Sequence, residues 1–141
     1  VEELPWPTES RLATSCYGWR KHPVQGDGSF HQGIDIGRLG TGENHINAVA
    51  KGVVVSVRNL CTFEPCPSED NKYTAGNYVL IEHEGFYSFY AHMGPVSVRK
   101  GESVSEGQSI GIMGSTGVST GIHLHFEVRI NGVKYNPMNF F

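Results

Sequence analysis

Residues 123–130 read HLHFEVRI, an octet in which polar and apolar side chains alternate without a break. Successive side chains of a β-strand point to opposite faces of the sheet. Read as a strand, the octet puts Leu124, Phe126, Val128 and Ile130 on one face, toward a core, and His123, His125, Glu127 and Arg129 on the other. The two imidazoles then stand one strand repeat apart, ~6.5 to 7 Å, close enough to flank one small site. The competing reading of an isolated H-x-H is a solvent-facing strand that happens to carry two histidines.

The rest of the chain has the same grain. It contains 18 glycines, and the apolar runs between them are short, which predicts an all-β domain. Candidate strands are LATSCYG (12–18), GIDIG (33–37), GVVVSVR (52–58), NYVLIEH (77–83), FYSFYAH (86–92), QSIGIMG (108–114), the octet itself and VKYNP (133–137). The longest interruption, NLCTFEPCPSEDNKYTAG (59–76), is polar and proline-bearing and predicts a surface insertion between two strands. Inside it Cys61 and Cys66 bracket TFEP, a spacing at which a short disulfide could staple an exposed segment in an oxidising compartment, with Cys16 left over. The second cysteine pair usual in structural zinc sites is absent.

With 141 residues and 38% hydrophobic content, the chain predicts a single domain over 1–141, able to bury a real core. Eleven basic against 14 acidic residues give a formal charge of −3, which argues against nucleic acid as a partner. No apolar run approaches the ~18 residues that suggest a membrane span. The opening VEELPWPTES lacks the basic and apolar regions of a signal peptide and starts without methionine, so the chain reads as a mature or excised domain.

HQGID (31–35) raises the odds of a metal site. A fully extended backbone would hold His31 and Asp35 about 13 Å apart, too far to share an ion, so the chain must bend or the side chains must lean together. Gly33 permits a bend. A helix would bring the pair together automatically, but Gly33, Ile34, Ile36 and Gly37 disfavour one. Two histidines and one aspartate suit zinc and leave a fourth position open, the composition of a catalytic site.

In order along the chain, TSCYGWRKHP, HQGIDIG, AVAKGVVVSV, GNYVLIEHEGFYSFYAHM and VRKGESVSEGQSIGIMGSTGVSTGIHLHFEVRINGVKYNP closely resemble the lysostaphin and LytM type of zinc endopeptidase, which cleaves peptide bonds in bacterial peptidoglycan. The resemblance covers about residues 10–141. It implies two antiparallel sheets forming a groove, related to the barrel-sandwich hybrid of lipoyl and biotinyl carriers. It implies one zinc ion held by His31, Asp35 and His125. His123 is then the candidate general base, and His92 of YAHM stabilises the oxyanion or protonates the leaving amine. Glu127 could compete as the base or merely orient an imidazole. The H-E-x-x-H of helical metalloproteases is absent.

The five matched positions are all present, which weighs against a non-catalytic module of the same fold that only binds cell wall or a partner. NAVAKGVV and GESVSEGQSIG also look like carrier half-repeats, but a carrier needs a modifiable lysine at a hairpin tip, and MGSTG has none. Peptidoglycan as substrate implies an extracytoplasmic setting, secreted, periplasmic or at the cell wall, and a virion-carried enzyme or a piece of a longer chain would use the same domain. RLGTGENHIN (38–47) and the insertion depart from the family pattern. Both are loops that could wall the groove, so they bear on substrate preference. His22, His45 and His83 match no catalytic position and read as surface histidines.

Overall fold

The computed structural model describes residues 3–21, 28–40, 42–59, 76–115 and 122–141. Twelve strands occur among them: β1 (Ala13–Ser15), β2 (Gly18–Lys21), β3 (Gly28–His31), β4 (Ile34–Gly37), β5 (His45–Asn47), β6 (Gly52–Arg58), β7 (Asn77–Glu82), β8 (Tyr87–Val96), β9 (Ser103–Val104), β10 (Ser109–Met113), β11 (His123–Ile130) and β12 (Val133–Tyr135). A single 3₁₀ turn, Pro137–Phe140, follows. Every strand pair is antiparallel. Ten strands form one sheet along the path β1-β4-β11-β8-β7-β6-β9, with β12 beside β11 and β10 bridging β5 and β8, while β2 and β3 form a separate two-stranded sheet. The fold is all-β, as expected, and the sheets differ greatly in size. Strands β2, β3, β5 and β9 were not expected; β5 and β9, at three and two residues, are too short to show a period.

Alternation in β11 is as read. Leu124, Phe126 and Val128 are fully buried and join Ile34 and Ile36 of β4 with Tyr90 of β8 in the core. Each such side chain stabilises the fold by about 1.5–3 kcal/mol relative to exposure. The expectation for Gly33 was a bend, and the chain does bend at residues 32 and 33, though without a left-handed φ at Gly33. A Cβ there would collide with the Phe126 carbonyl and come within 2.8 Å of Glu127 Cγ. Gly33 thus lets the start of β4 lie flat on β11, which draws Asp35 to His125.

His83 is a correction. It was expected on the surface, yet it is only 7% exposed and stacks on Phe86. A chain of polar contacts accounts for its burial. His83 Nδ1 is 2.8 Å from the Lys51 carbonyl, Nε2 is 2.6 Å from Ser88 Oγ, Ser88 Oγ is 2.8 Å from Tyr90 Oη, and Val49 N–H donates to that phenol at 3.1 Å. A carbonyl only accepts, so Nδ1 carries the proton. Ser88 Oγ in turn donates to Tyr90 Oη, which also accepts from Val49 N–H.

Burial, the largest influence, lowers the His83 pKa, and the bond to the Lys51 carbonyl only partly opposes it. Neutral His83 therefore contributes stability that is complete above the unfolded value near 6.5 and is lost as pH falls below it toward the folded value. Chemical denaturation of the metal-loaded protein at pH 7.5 and 5.5 should show wild type losing about 1 kcal/mol more than His83→Gln, close to the most that one group with an unfolded pKa near 6.5 can lose over that interval. Equal losses would show that the relay does not sense pH.

His45 is exposed as expected, with Nδ1 3.3 Å from Ser109 Oγ. His22, Cys61, Cys66 and most of the 59–76 insertion lie outside the described residues, and Cys16 is exposed. No helix of the described residues is long and apolar enough to cross a membrane.

Candidate active site

Three adjacent strands, β4, β11 and β8, supply the described site side chains. The β4–β11 register sets Asp35 opposite His125 and Gly37 opposite His123, and the β11–β8 register sets His125 opposite Ala91. Directly opposed residues share a face. Asp35 and His125 accordingly meet, with Oδ1 3.0 Å from Nδ1, and His123 Nε2 lies 3.8 Å from the same oxygen.

His92 arrives by a route that simple alternation misses. His92 was expected on the face of Tyr90, but Tyr90 is in the core. Between Tyr90 and Met93 the β8 register slips against β7, whose partners there are Val79 and Asn77. Three steps on β8 oppose two on β7, the signature of a β-bulge. His92 occupies the left-handed region at φ 58°, which non-glycine residues seldom adopt, histidine more readily than most. The bulge turns its ring away from the core and onto the site face, 5.0 Å between centroids from His123 and 6.0 Å from His125. Strain of this kind is characteristic of functional positions.

Glu127 underlies the cluster. It shares the site face, yet it is 4% exposed. Its Oε2 accepts from His125 Nε2 at 2.7 Å, and its Oε1 takes Arg129 Nε at 2.9 Å, with Arg129 Nη2 at 2.8 Å and Lys134 Nζ at 3.4 Å. Arg129 is itself held over the Phe89 ring, 4.4 Å from its centroid. Burial, the largest influence on Glu127, opposes ionisation, but the bonds and charges of His125 and Arg129 outweigh it and hold the carboxyl at about 2. At His125 burial again pulls against charge, and the hydrogen bonds of Asp35 and Glu127 overcome it, raising the imidazole to about 9.

That arrangement is a test of whether a metal fits. His125 lies between two carboxylates, and its Nδ1 end, beside Asp35, is the position at which nitrogen and oxygen donors converge. A zinc ion takes that donor set and needs a third ligand. Among the described residues no three His, Cys, Asp or Glu side chains suffice to hold a metal by themselves. His31, the remaining expected ligand, ends β3 opposite Gly18, two residues before β4 begins its run beside β11, and its side chain lies outside the described residues. The structure thus brings together Asp35, His92, His123, His125 and Glu127.

Comparison with known proteins bears on this cluster. Residues 29–137 match the model of peptidase family M23. The chain is 35% identical over 139 residues to the peptidoglycan DD-endopeptidase ShyA of Vibrio cholerae, covering 97% of this chain but 29% of that protein. It superposes on a zinc-containing peptidase from Vibrio cholerae with a TM-score of 0.73 at 34% identity, covering 94% of this chain and 38% of that one. It also matches the catalytic domain of the prophage-encoded M23 protein EnpA from Enterococcus faecalis with a TM-score of 0.69 at 31% identity, covering 98% and 95% of the two chains.

Proposed function

The chain belongs to peptidase family M23, and from that premise we propose that it is a zinc-dependent endopeptidase hydrolysing peptide bonds in the cross-links or stem peptides of bacterial peptidoglycan, outside the cytoplasm. The observation that carries the reading is the bulge in β8, which spends a left-handed histidine to complete a cluster already built by β4 and β11.

Asp35 and His125 would hold one zinc ion together with His31. Bound zinc lowers the pKa of water toward neutrality and polarises a carbonyl. The protein's own groups do the rest. Glu127 accepts the Nε2 proton of His125, which fixes the tautomer and leaves Nδ1 as the donor nitrogen. His123, whose Nε2 lies 3.8 Å from Asp35 Oδ1, takes the proton of the attacking water. His92, across from it, hydrogen-bonds the carbonyl oxygen as charge develops, and the proton taken up by His123 passes to the leaving amine. Both oxygens of Glu127 are engaged, so the carboxylate serves to orient.

Incubation with defined muropeptides, followed by mass spectrometry, tests the reading. One new amine and one new carboxylate per cut, abolished by chelation and restored by zinc, are the expected products. Binding of muropeptides without fragments would mark a non-catalytic module instead.

A further inference from the structure

Asn131 and Gly132 join β11 to β12, and both lie in the left-handed region, at φ 52° and 78°. Two consecutive positive φ values make the tightest hairpin turn, and Asn-Gly is the dipeptide that adopts it most readily. The turn sets the register: Ile130 pairs with Val133, and Arg129 with Lys134. Directly opposed residues share a face, so both cations stand on the face of His123, His125 and Glu127. Like charges directly opposed across a ladder destabilise it. What offsets them here is the carboxylate of Glu127, which both cations reach.

The two cations meet the same oxygen. Glu127 Oε1 accepts from Arg129 Nε at 2.9 Å and lies 2.8 Å from Nη2 and 3.4 Å from Lys134 Nζ. That leaves Oε2 to His125 Nε2 at 2.7 Å. The Phe89 ring, which carries the guanidinium, belongs to the β8 residue paired with Glu127. Lys134 reaches further. Its Nζ donates to Gln32 Oε1 at 2.8 Å, and an ammonium only donates, so the amide oxygen must face it. Gln32 stands in the bend between His31 and Gly33, and Gly33 is the residue packed on Phe126 and Glu127. The backbone of Lys134 is held as well, because its carbonyl accepts from Tyr17 Oη at 3.1 Å.

As surface stabilisation this network is weak. Lys134 is 31% exposed and Gln32 is exposed, and bonds in such settings contribute little against water. Its consequence is geometric. One ammonium joins the carboxylate that orients His125 to the residue that follows His31, so it spans the two segments from which the metal is to be held. We propose that Arg129 and Lys134 form a positioning clamp for the metal site, Arg129 by aiming Glu127 and Lys134 by tying β11 to the bend after His31. The proposal rests on the reading of His31, Asp35 and His125 as the zinc ligands. Groups that orient ligands in this way typically change metal affinity about 10- to 100-fold.

The sign of the change in zinc affinity decides it. Repulsion alone predicts that removing a cation beside a zinc site tightens binding, whereas a clamp predicts that binding weakens. Competition with a chromogenic chelator measures the affinity without reference to cleavage. Lys134→Met and Arg129→Met should each bind zinc about tenfold more weakly or worse, with kcat lowered and KM for a muropeptide unchanged. Gln32→Ala should weaken zinc by less, and should add nothing to Lys134→Met, because both remove the same bond. Lys134→Arg keeps a donor within reach of both oxygens and should restore most of the affinity. Unchanged or tighter zinc binding in Lys134→Met would overturn the clamp, and so would a loss that Lys134→Arg fails to rescue and that follows the melting point of the metal-free protein. Wild type without zinc affinity would remove the ligand reading and the clamp with it. Wild type that binds zinc and cuts no muropeptide would remove the peptidase reading alone, with the affinities still deciding the clamp.

Discussion

His125→Ala is expected to bind zinc far below one ion per chain and to lose turnover by about 10⁴-fold or more. It removes the nitrogen that lies 3.0 Å from Asp35 Oδ1, and two remaining protein ligands hold zinc poorly. Asp35→Asn should do the same while keeping the shape of the β4–β11 contact. The fold should survive both. Glu127 keeps Arg129 and Lys134 as partners when His125 is gone, so its buried charge is not stranded, and the apolar face of β11 is untouched. Elemental analysis after dialysis against a zinc buffer, with a thermal melt of the same samples, reads both halves. Full zinc occupancy in His125→Ala would show that the ligand assignment is wrong, whatever the activity did.

How much of this site was legible in the sequence depends on the strand that carries it. In β11 the period of two runs unbroken, so the core face and the histidine face could be read directly from HLHFEVRI, and the register with β4 confirms the pairing of His125 with Asp35. In β8 the same rule misplaces His92, because a bulge adds a residue that no local signal announces: AHMG offers no glycine at the left-handed position, and the slip exists only relative to β7. Gly33 was read as a bend, and the chain does bend there, but its close approach to β11 was not read. Its role is set by Phe126 and Glu127, about 90 residues away in sequence, and close approach across a sheet leaves no mark in the local pattern. His83 reads as an ordinary polar residue at a strand end, and only the folded chain supplies Ser88, Tyr90 and the Lys51 carbonyl as partners. Local period was sufficient wherever the ladder is regular, and insufficient wherever a side chain's surroundings come from a distant strand.

Separating proton transfer from metal binding gives the second large effect. His123→Ala should keep the fold and its zinc and lose ~10²- to 10⁴-fold in kcat, the usual contribution of a positioned general base. For His92 the substitution must respect the backbone. At φ 58° alanine would add left-handed strain of roughly 1 kcal/mol or more to any catalytic loss, whereas asparagine tolerates that region, so His92→Asn reports the chemistry with the bulge intact. Its expected loss is about 10²- to 10³-fold in kcat, with zinc retained. Glu127→Gln differs in kind. The amide can still face His125 Nε2, but it no longer balances Arg129 and Lys134, so the tautomer is held less firmly and zinc affinity and turnover should fall together by ~10- to 100-fold. Metal content and kcat measured side by side for the three variants divide the roles. A Glu127→Gln enzyme that kept full zinc and was the most damaged of the three would make the carboxylate the base, and would require the buried, doubly engaged oxygens of Glu127 to open during turnover.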